Sequence, residues 1–200
     1  GYQFADGVYE VAAICRRRII DEDGHLVRLK RSLGELHIAM PMPDGPFASV
    51  CRETLRRNRV RDGILYIQIS RGVARRDHPF PEKVKPALVM TARVVDWPVN
   101  EHDDAGAEVV SVADIRWLRR DVKSISLLPN VLAKQAAVEA GAAEAWFVDA
   151  NGIVNEGSAS NAWVVTGAGT LVTSPTTAQI LEGVTRGIVL DTATRLGLTL

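Results

Sequence analysis

The chain lacks the signatures of disulfide and metal scaffolds. Its two cysteines, Cys15 and Cys51, form no Cys-x-x-Cys pair, and no histidine stands at ligand spacing from either. A stapled secreted fold and a structural zinc site are thereby disfavoured, and two buried free thiols in a reducing cytoplasm are expected. An excess of charge of one sign is missing too. Lys plus Arg and Asp plus Glu number 24 each, so no overall field draws the protein to nucleic acid or an anionic membrane. There is no apolar run long enough to cross a bilayer, and Asp6 and Glu10 interrupt what a signal sequence would keep apolar. The location these features predict is cytoplasmic.

What is present is an ordinary globular composition, 46% hydrophobic and 24% charged over 200 residues, enough for one large core or two small ones. The chain opens on Gly1-Tyr2-Gln3-Phe4 and stops at Leu198-Thr199-Leu200 with a strand beginning, so it reads as truncated at both ends. Arg16-Arg17-Arg18 is the strongest local charge. Followed by Asp21, Glu22 and Asp23, it reads as a solvated hairpin rather than a polyanion site.

Val8 to Ile20 is rich in β-branched and apolar residues, and Asp21-Glu22-Asp23-Gly24 supplies turn chemistry, which predicts a hairpin arm. Leu26, Leu29, Leu33 and Leu36 recur at helical spacing, predicting a helix from about His25 to Leu36; Phe47 to Asn58 repeats the pattern. Ile64 to Ser70 and Ala87 to Ala92 read as strands on either side of an Arg-, Gly- and Pro-rich loop. The polar stretch 98–106 is the best candidate for a linker. It separates a small α/β domain over 1–97 from a larger, incomplete domain over 107–200. The latter should hold a strand near Glu108 to Val112, an extended run to Lys123 and a helix from about Asn130 to Ala140 closed by Gly141. A hairpin about Asn151-Gly152, strands at Asn161 to Val165 and Thr170 to Thr173, and a helix from Glu182 to Leu196 follow. The fold class is α/β in two parts.

Lys123 ends the run that starts at Asp114, next to Ser124 and ahead of the apolar Ile125, Leu127 and Leu128. Such a position permits a desolvated, reactive amine. Lys134 is its rival, but lies inside a predicted helix, where a polar position needs no chemical explanation. Glu156 opens Glu156-Gly157-Ser158-Ala159-Ser160-Asn161 in a loop after a strand, and by itself reads equally as a solvated turn acid. Paired with Lys123 it gains a meaning. An amine that condenses with an aldehyde, and a buried carboxylate that keeps a pyridine nitrogen protonated, are what pyridoxal phosphate requires. Gly183-Val184-Thr185-Arg186 opens the last helix with backbone N–H groups and the Thr185 hydroxyl for an anion. Arg28 can add a fixed positive charge there, or remain an exposed helix arginine. Arg76 and His78, two apart on an extended loop, can bind one carboxylate or join a structural salt bridge.

These residues occur in blocks that resemble the fold-type IV pyridoxal phosphate enzymes. The blocks are Gly1-Tyr2-Gln3-Phe4-Ala5-Asp6-Gly7-Val8-Tyr9-Glu10-Val11, Asp114-Ile115-Arg116-Trp117-Leu118-Arg119, Lys123-Ser124 with Leu127-Leu128, Val131-Leu132-Ala133-Lys134-Gln135, and Glu156-Gly157-Ser158. Within that fold the chain looks most like the D-amino acid aminotransferases, over nearly its whole length. The resemblance implies a two-domain architecture with the cofactor, pyridoxal 5'-phosphate, in the C-terminal domain. Lys123 would be the Schiff-base lysine and proton carrier, and Glu156 the partner of the pyridinium nitrogen. Arg28, Val184 and Thr185 would hold the phosphate, and Tyr9, Arg76 and His78 the substrate carboxylate.

In such enzymes the Arg and His reach in from the neighbouring subunit, so a homodimer with shared active sites is implied. The activity implied is ping-pong transamination of D-amino acids, D-alanine among them, with a 2-oxo acid such as 2-oxoglutarate or pyruvate. Branched-chain L-aminotransferases and aminodeoxychorismate lyase share the lysine, glutamate and phosphate parts and form the alternative. The Arg-x-His loop favours D-substrates. A non-catalytic protein that keeps the fold is a third reading, against which the intact Lys123 and Glu156 speak.

Overall fold

The structure, a computed structural model, describes residues 1–97 and 106–200. The predicted linker at 98–106 lies outside the described residues except for Gly106. The chain forms two compact units, one of Gly1–Val99 with Val122–Ser126 and one of Asn100–Asp121 with Leu127–Leu200.

The first unit is built on a four-stranded antiparallel sheet in the order β2-β1-β3-β4. Its strands are β1 (Gly7–Cys15), β2 (Arg18–Ile19), β3 (Gly63–Ser70) and β4 (Ala87–Val94). Alternation decides what each face does, since neighbouring side chains on a strand point opposite ways. Val8, Ala12 and Ile14 of β1 and Leu65, Ile67 and Ile69 of β3 are buried. Helices α1 (Glu22–Glu35) and α2 (Asp44–Arg57) cover them with Leu29, Leu33, Phe47, Cys51 and Leu55. Each large side chain fully removed from water contributes about 1.5–3 kcal/mol.

Two local expectations change here. The hairpin turns at Arg16 and Arg17, both in the left-handed region at φ 50° and 66°, the geometry that matches the twist of a tight β-hairpin. Asp21-Glu22-Asp23-Gly24 instead begins α1, where Glu22 and Asp23 sit in the first turn and their charges meet the positive end of the helix dipole. Cys51 is buried as expected, whereas Cys15 is exposed at the end of β1.

The segment Val122–Ser126 packs in this unit, although its sequence position is beyond the predicted linker. It runs along the start of β1: Tyr9 N donates to Lys123 O at 3.0 Å, Ile125 N to Gly7 O at 3.0 Å, and Val8 pairs with Ser124. Val122 joins the buried core. Backbone pairing with a non-local strand leaves no local periodicity, which is why sequence could not assign the segment to its unit.

In the second unit, β5 (Val109–Ala113) is parallel to β6 (Glu144–Val148), which pairs antiparallel with β7 (Val154–Gly157). Helix α3 (Leu128–Glu139) buries Ala133 and Ala137 against Ala145 and Phe147, with Val110 and Val112 beside them. Gly141 at φ 72° ends α3 and Gly152 at φ 80° serves the hairpin turn. A second pair, β8 (Trp163–Val165) and β9 (Leu171–Thr173), and helix α4 (Val184–Arg195) complete the unit. Glu156, expected in a loop, lies within β7 opposite Phe147. Pairing with β6 carries the strand through the polar run Asn155-Glu156-Gly157, which composition alone does not mark as extended.

Candidate active site

The predicted site residues divide between the two units. Lys123, Tyr9, Arg28, Arg76 and His78 are in the first; Glu156, Val184 and Thr185 are in the second.

The Lys123 backbone is held on both sides. Its N–H donates to the buried Ser32 Oγ on α1 at 3.2 Å, and its carbonyl accepts from Tyr9 N. The ammonium lies 4.2 Å from the centroid of the Tyr9 ring, a cation–π contact. Tyr9 stacks on Tyr66 with centroids 5.8 Å apart, and the Tyr66 hydroxyl donates to Gln68 Oε1 at 2.7 Å. Burial pushes the Tyr66 phenol up.

Glu10, next along β1, points to the opposite face and is 1% exposed. It accepts from Arg28 Nε at 2.8 Å and Arg28 Nη2 at 2.7 Å, and His25 Nδ1 stands 2.7 Å from the same carboxylate. An ionised carboxylate only accepts, so His25 Nδ1 carries the proton in this contact. Burial by itself would raise the Glu10 carboxyl. The hydrogen bonds from Arg28 and His25, with the charges of Arg28 and Lys123, together hold it below its ordinary value.

Arg76 and His78 are exposed on the loop after β3 and share one aromatic partner. The Arg76 guanidinium carbon is 5.1 Å from the Phe4 centroid and the His78 ring centroid is 5.5 Å from it. The loop is anchored by Arg71, which sequence did not single out. Its guanidinium forks onto Asp6 at 2.5 and 2.9 Å, donates to Leu36 O at 2.7 Å, and lies 3.7 Å over the Phe80 ring.

In the second unit Glu156 is 4% exposed. It accepts from Arg116 Nη1 at 2.5 Å, Asn161 Nδ2 at 3.1 Å and Leu181 N at 3.1 Å. Arg116 also forks onto Asp114, at 2.9 Å from Nε and 2.8 Å from Nη2, and its guanidinium carbon is 4.1 Å from the Phe147 centroid. Burial pushes the Glu156 carboxyl up against the pull of Arg116 and Leu181. For Asp114, burial is outweighed by Arg116 and Asn155, and the carboxyl falls.

Asn161 also donates to Leu181 O at 3.0 Å, and its Oδ1 fills the space a side chain at Gly183 would need. Through it the Glu156 carboxylate is tied to the segment that leads into α4, whose first residues are Val184 and Thr185. Arg186, the next residue, is buried and donates to Thr176 Oγ1 at 3.0 Å and Ser174 O at 2.9 Å. The rival lysine has a structural task. Exposed Lys134 donates to Ala143 O at 2.5 Å and so links α3 to the start of β6.

Each unit holds groups of the kind pyridoxal phosphate takes. The first offers the Lys123 amine on a fixed backbone beside the Tyr9 ring and, against the other face of β1, the oriented guanidinium of Arg28; the second offers the buried, cation-backed carboxylate of Glu156 and the N-terminus of α4. Glu10, His25, Asp114, Arg116 and Asn161 surround these groups and were given no site role from sequence. Glu10 had a signal, an acid at an inward position between Val8 and Ala12. Asp114 and Arg116 stood two apart at the head of the Lys123 run.

Residues 7–200 match the family model for amino-transferase class IV. A D-alanine aminotransferase from Bacillus licheniformis is 38% identical over 198 residues, covering 99% of this chain and 69% of that protein. Among solved structures, the branched-chain amino acid aminotransferase from Escherichia coli superposes with a TM-score of 0.83 at 20% identity, over 99% of this chain and 67% of that one. A 4-amino-4-deoxychorismate lyase from Pseudomonas aeruginosa shares the fold at TM-score 0.83 and 24% identity, over 100% of this chain and 73% of that one. The chain belongs to the class IV aminotransferases, a family that uses pyridoxal phosphate. It spans about two thirds of the length of the D-alanine aminotransferases it matches.

Proposed function

We propose that the protein is a D-amino acid aminotransferase of the D-alanine type, a cytoplasmic homodimer that passes the amino group to a 2-oxo acid such as 2-oxoglutarate or pyruvate. The observation that carries this reading is the anchored loop that sets Arg76 and His78 on one aromatic ring, Phe4. Similarity to D-alanine aminotransferases over almost the whole chain supports it.

When bound, pyridoxal phosphate supplies the aldehyde that takes the amine and the ring that accepts the electron pair from Cα. Lys123 would take the proton from the substrate Cα and carry it during the exchange, a task suited to a flexible amine on a fixed backbone. Glu156 keeps the ring nitrogen protonated, and Arg116 keeps Glu156 available as a carboxylate. Arg28, and the backbone N–H groups at Val184 and Thr185, would be the groups offered to the phosphate. Tyr9, with Arg76 and His78 of the partner subunit, grips the substrate carboxylate. The enantiomer follows from where that carboxylate is fixed, because Lys123 works from one face only.

The structural neighbours keep a second reading in view, a branched-chain L-aminotransferase or an aminodeoxychorismate lyase. Visible absorbance of the full-length, cofactor-loaded protein separates them. A spectral change with D-alanine and none with L-leucine or aminodeoxychorismate is the expected result. A change with L-leucine alone would overturn the substrate assignment.

A further inference from the structure

We propose that Glu10, assisted by His25, is the positioning residue that sets the guanidinium of Arg28 for the cofactor phosphate. The inference rests on the reading of Arg28 as a phosphate ligand given above. Its starting point is a residue out of place. The inward row of β1 reads Val8, Glu10, Ala12, Ile14, and all four are buried. A carboxylate in such a row is costly to desolvate, and a well-packed hydrophobic residue serves stability as well or better. Stability alone therefore does not account for Glu10.

Its geometry does. Oε1 takes the Nε–H of Arg28 while Oε2 takes Nη2, so a two-point fork fixes the plane of the guanidinium as well as its place. Oε2 also meets His25 Nδ1. His25 lies three residues before Arg28 on α1, on the same face of the helix, and its contact stops the carboxylate from rotating about its own axis. The carboxylate is thus held by two side chains and holds one of them in turn. The charge of Lys123 also favours the ionised form of Glu10. Glu10 repels a phosphate, so its benefit must come from alignment.

The test compares pyridoxal phosphate with pyridoxal, which lacks the phosphate, binding to the full-length apoprotein. Arg28→Gln should erase most of the preference for the phosphorylated form. If it does not, the phosphate role of Arg28 fails, and the Glu10 inference with it. Given that loss, Glu10→Gln should weaken pyridoxal phosphate on the order of tenfold, the share of one charge-assisted hydrogen bond, and leave pyridoxal unchanged. The Glu10→Gln, Arg28→Gln double variant should be no worse than Arg28→Gln alone. Unchanged or tighter pyridoxal phosphate binding by Glu10→Gln would overturn the proposal while leaving Arg28 in place, as would equal weakening toward both ligands. Should Glu10→Gln not fold, His25→Ala decides: a several-fold loss for the phosphorylated ligand alone supports the dyad, and an unchanged preference overturns it.

Discussion

Arg116 and Glu156 form a buried ion pair at 2.5 Å, and the same guanidinium forks onto Asp114. Removing it leaves the buried Glu156 with only the neutral donors Asn161 and Leu181 N, and Asp114 with Arg120 at 3.4 Å and Asn155. Arg116→Leu should cost about 3–5 kcal/mol of unfolding free energy, read from urea denaturation of the full-length protein. Arg116→Lys keeps the charge but not the fork, and should fall between. Adding Glu156→Gln to Arg116→Leu should recover part of the loss, a coupling that a double-mutant cycle measures.

Acid should weaken the fold through Glu10 and Asp114. Both carboxyls lie below their ordinary values of 4.5 and 3.8 in the folded protein. The stability they contribute is complete above those values and is lost as pH falls through the lowered ones. Glu156 has the opposite sign. Burial raises its carboxyl, so its share declines as pH rises past the ordinary value. Glu144, which accepts from Ser158 and Ser160, is lowered too, so the lowered carboxyls outnumber the raised one and the urea midpoint should fall as pH drops below about 4.5. In Glu10→Gln the slope should be shallower; an unchanged slope would mean that folding does not lower the Glu10 carboxyl.

Lys123→Ala should abolish transamination and the visible absorbance that pyridoxal phosphate acquires on joining a protein lysine. Lys134→Ala should keep both and lower stability by at most about 1 kcal/mol. Retained turnover in the Lys123 variant would remove the central assignment.

The contrast between the two lysines shows what could be read from sequence. Lys134 was legible as a helix position because α3 is a local element closed within a short span by its glycine stop, Gly141. Lys123 was legible only through the run around it. Its partners Tyr9 and Ser32 are far off in sequence, and nothing local announces them. The same holds for Glu156, whose neighbours Arg116 and Leu181 come from either side of it at long range. Leu29, Leu33, Phe47 and Leu55 marked their core faces in advance, since helical spacing is a local property. The turn at Arg16-Arg17 did not, because two arginines adopting left-handed backbone is something their composition does not suggest.

Arg76→Ala and His78→Ala should each raise the KM for D-alanine by roughly tenfold or more, the loss of a charge-assisted contact. Pyridoxal phosphate affinity should stay within about twofold of the parent, less than about 0.5 kcal/mol. Arg71→Ala should raise KM as well, through a loosened loop, and also lower stability because the Asp6 carboxylate loses its partner. An unchanged KM in all three would dissociate this loop from substrate binding.

Tyr9 and Glu10 are consecutive residues on opposite faces of β1, one beneath the Lys123 amine and the other against Arg28. A strand advances its side chains in steps of two, so deleting a single residue ahead of Tyr9 would exchange a ring for a carboxylate on both faces at once. No repair elsewhere in the sheet could undo that without shifting the whole strand. Along β1, spacing matters as much as residue type, since it is what keeps the ring and the carboxylate each on its own face.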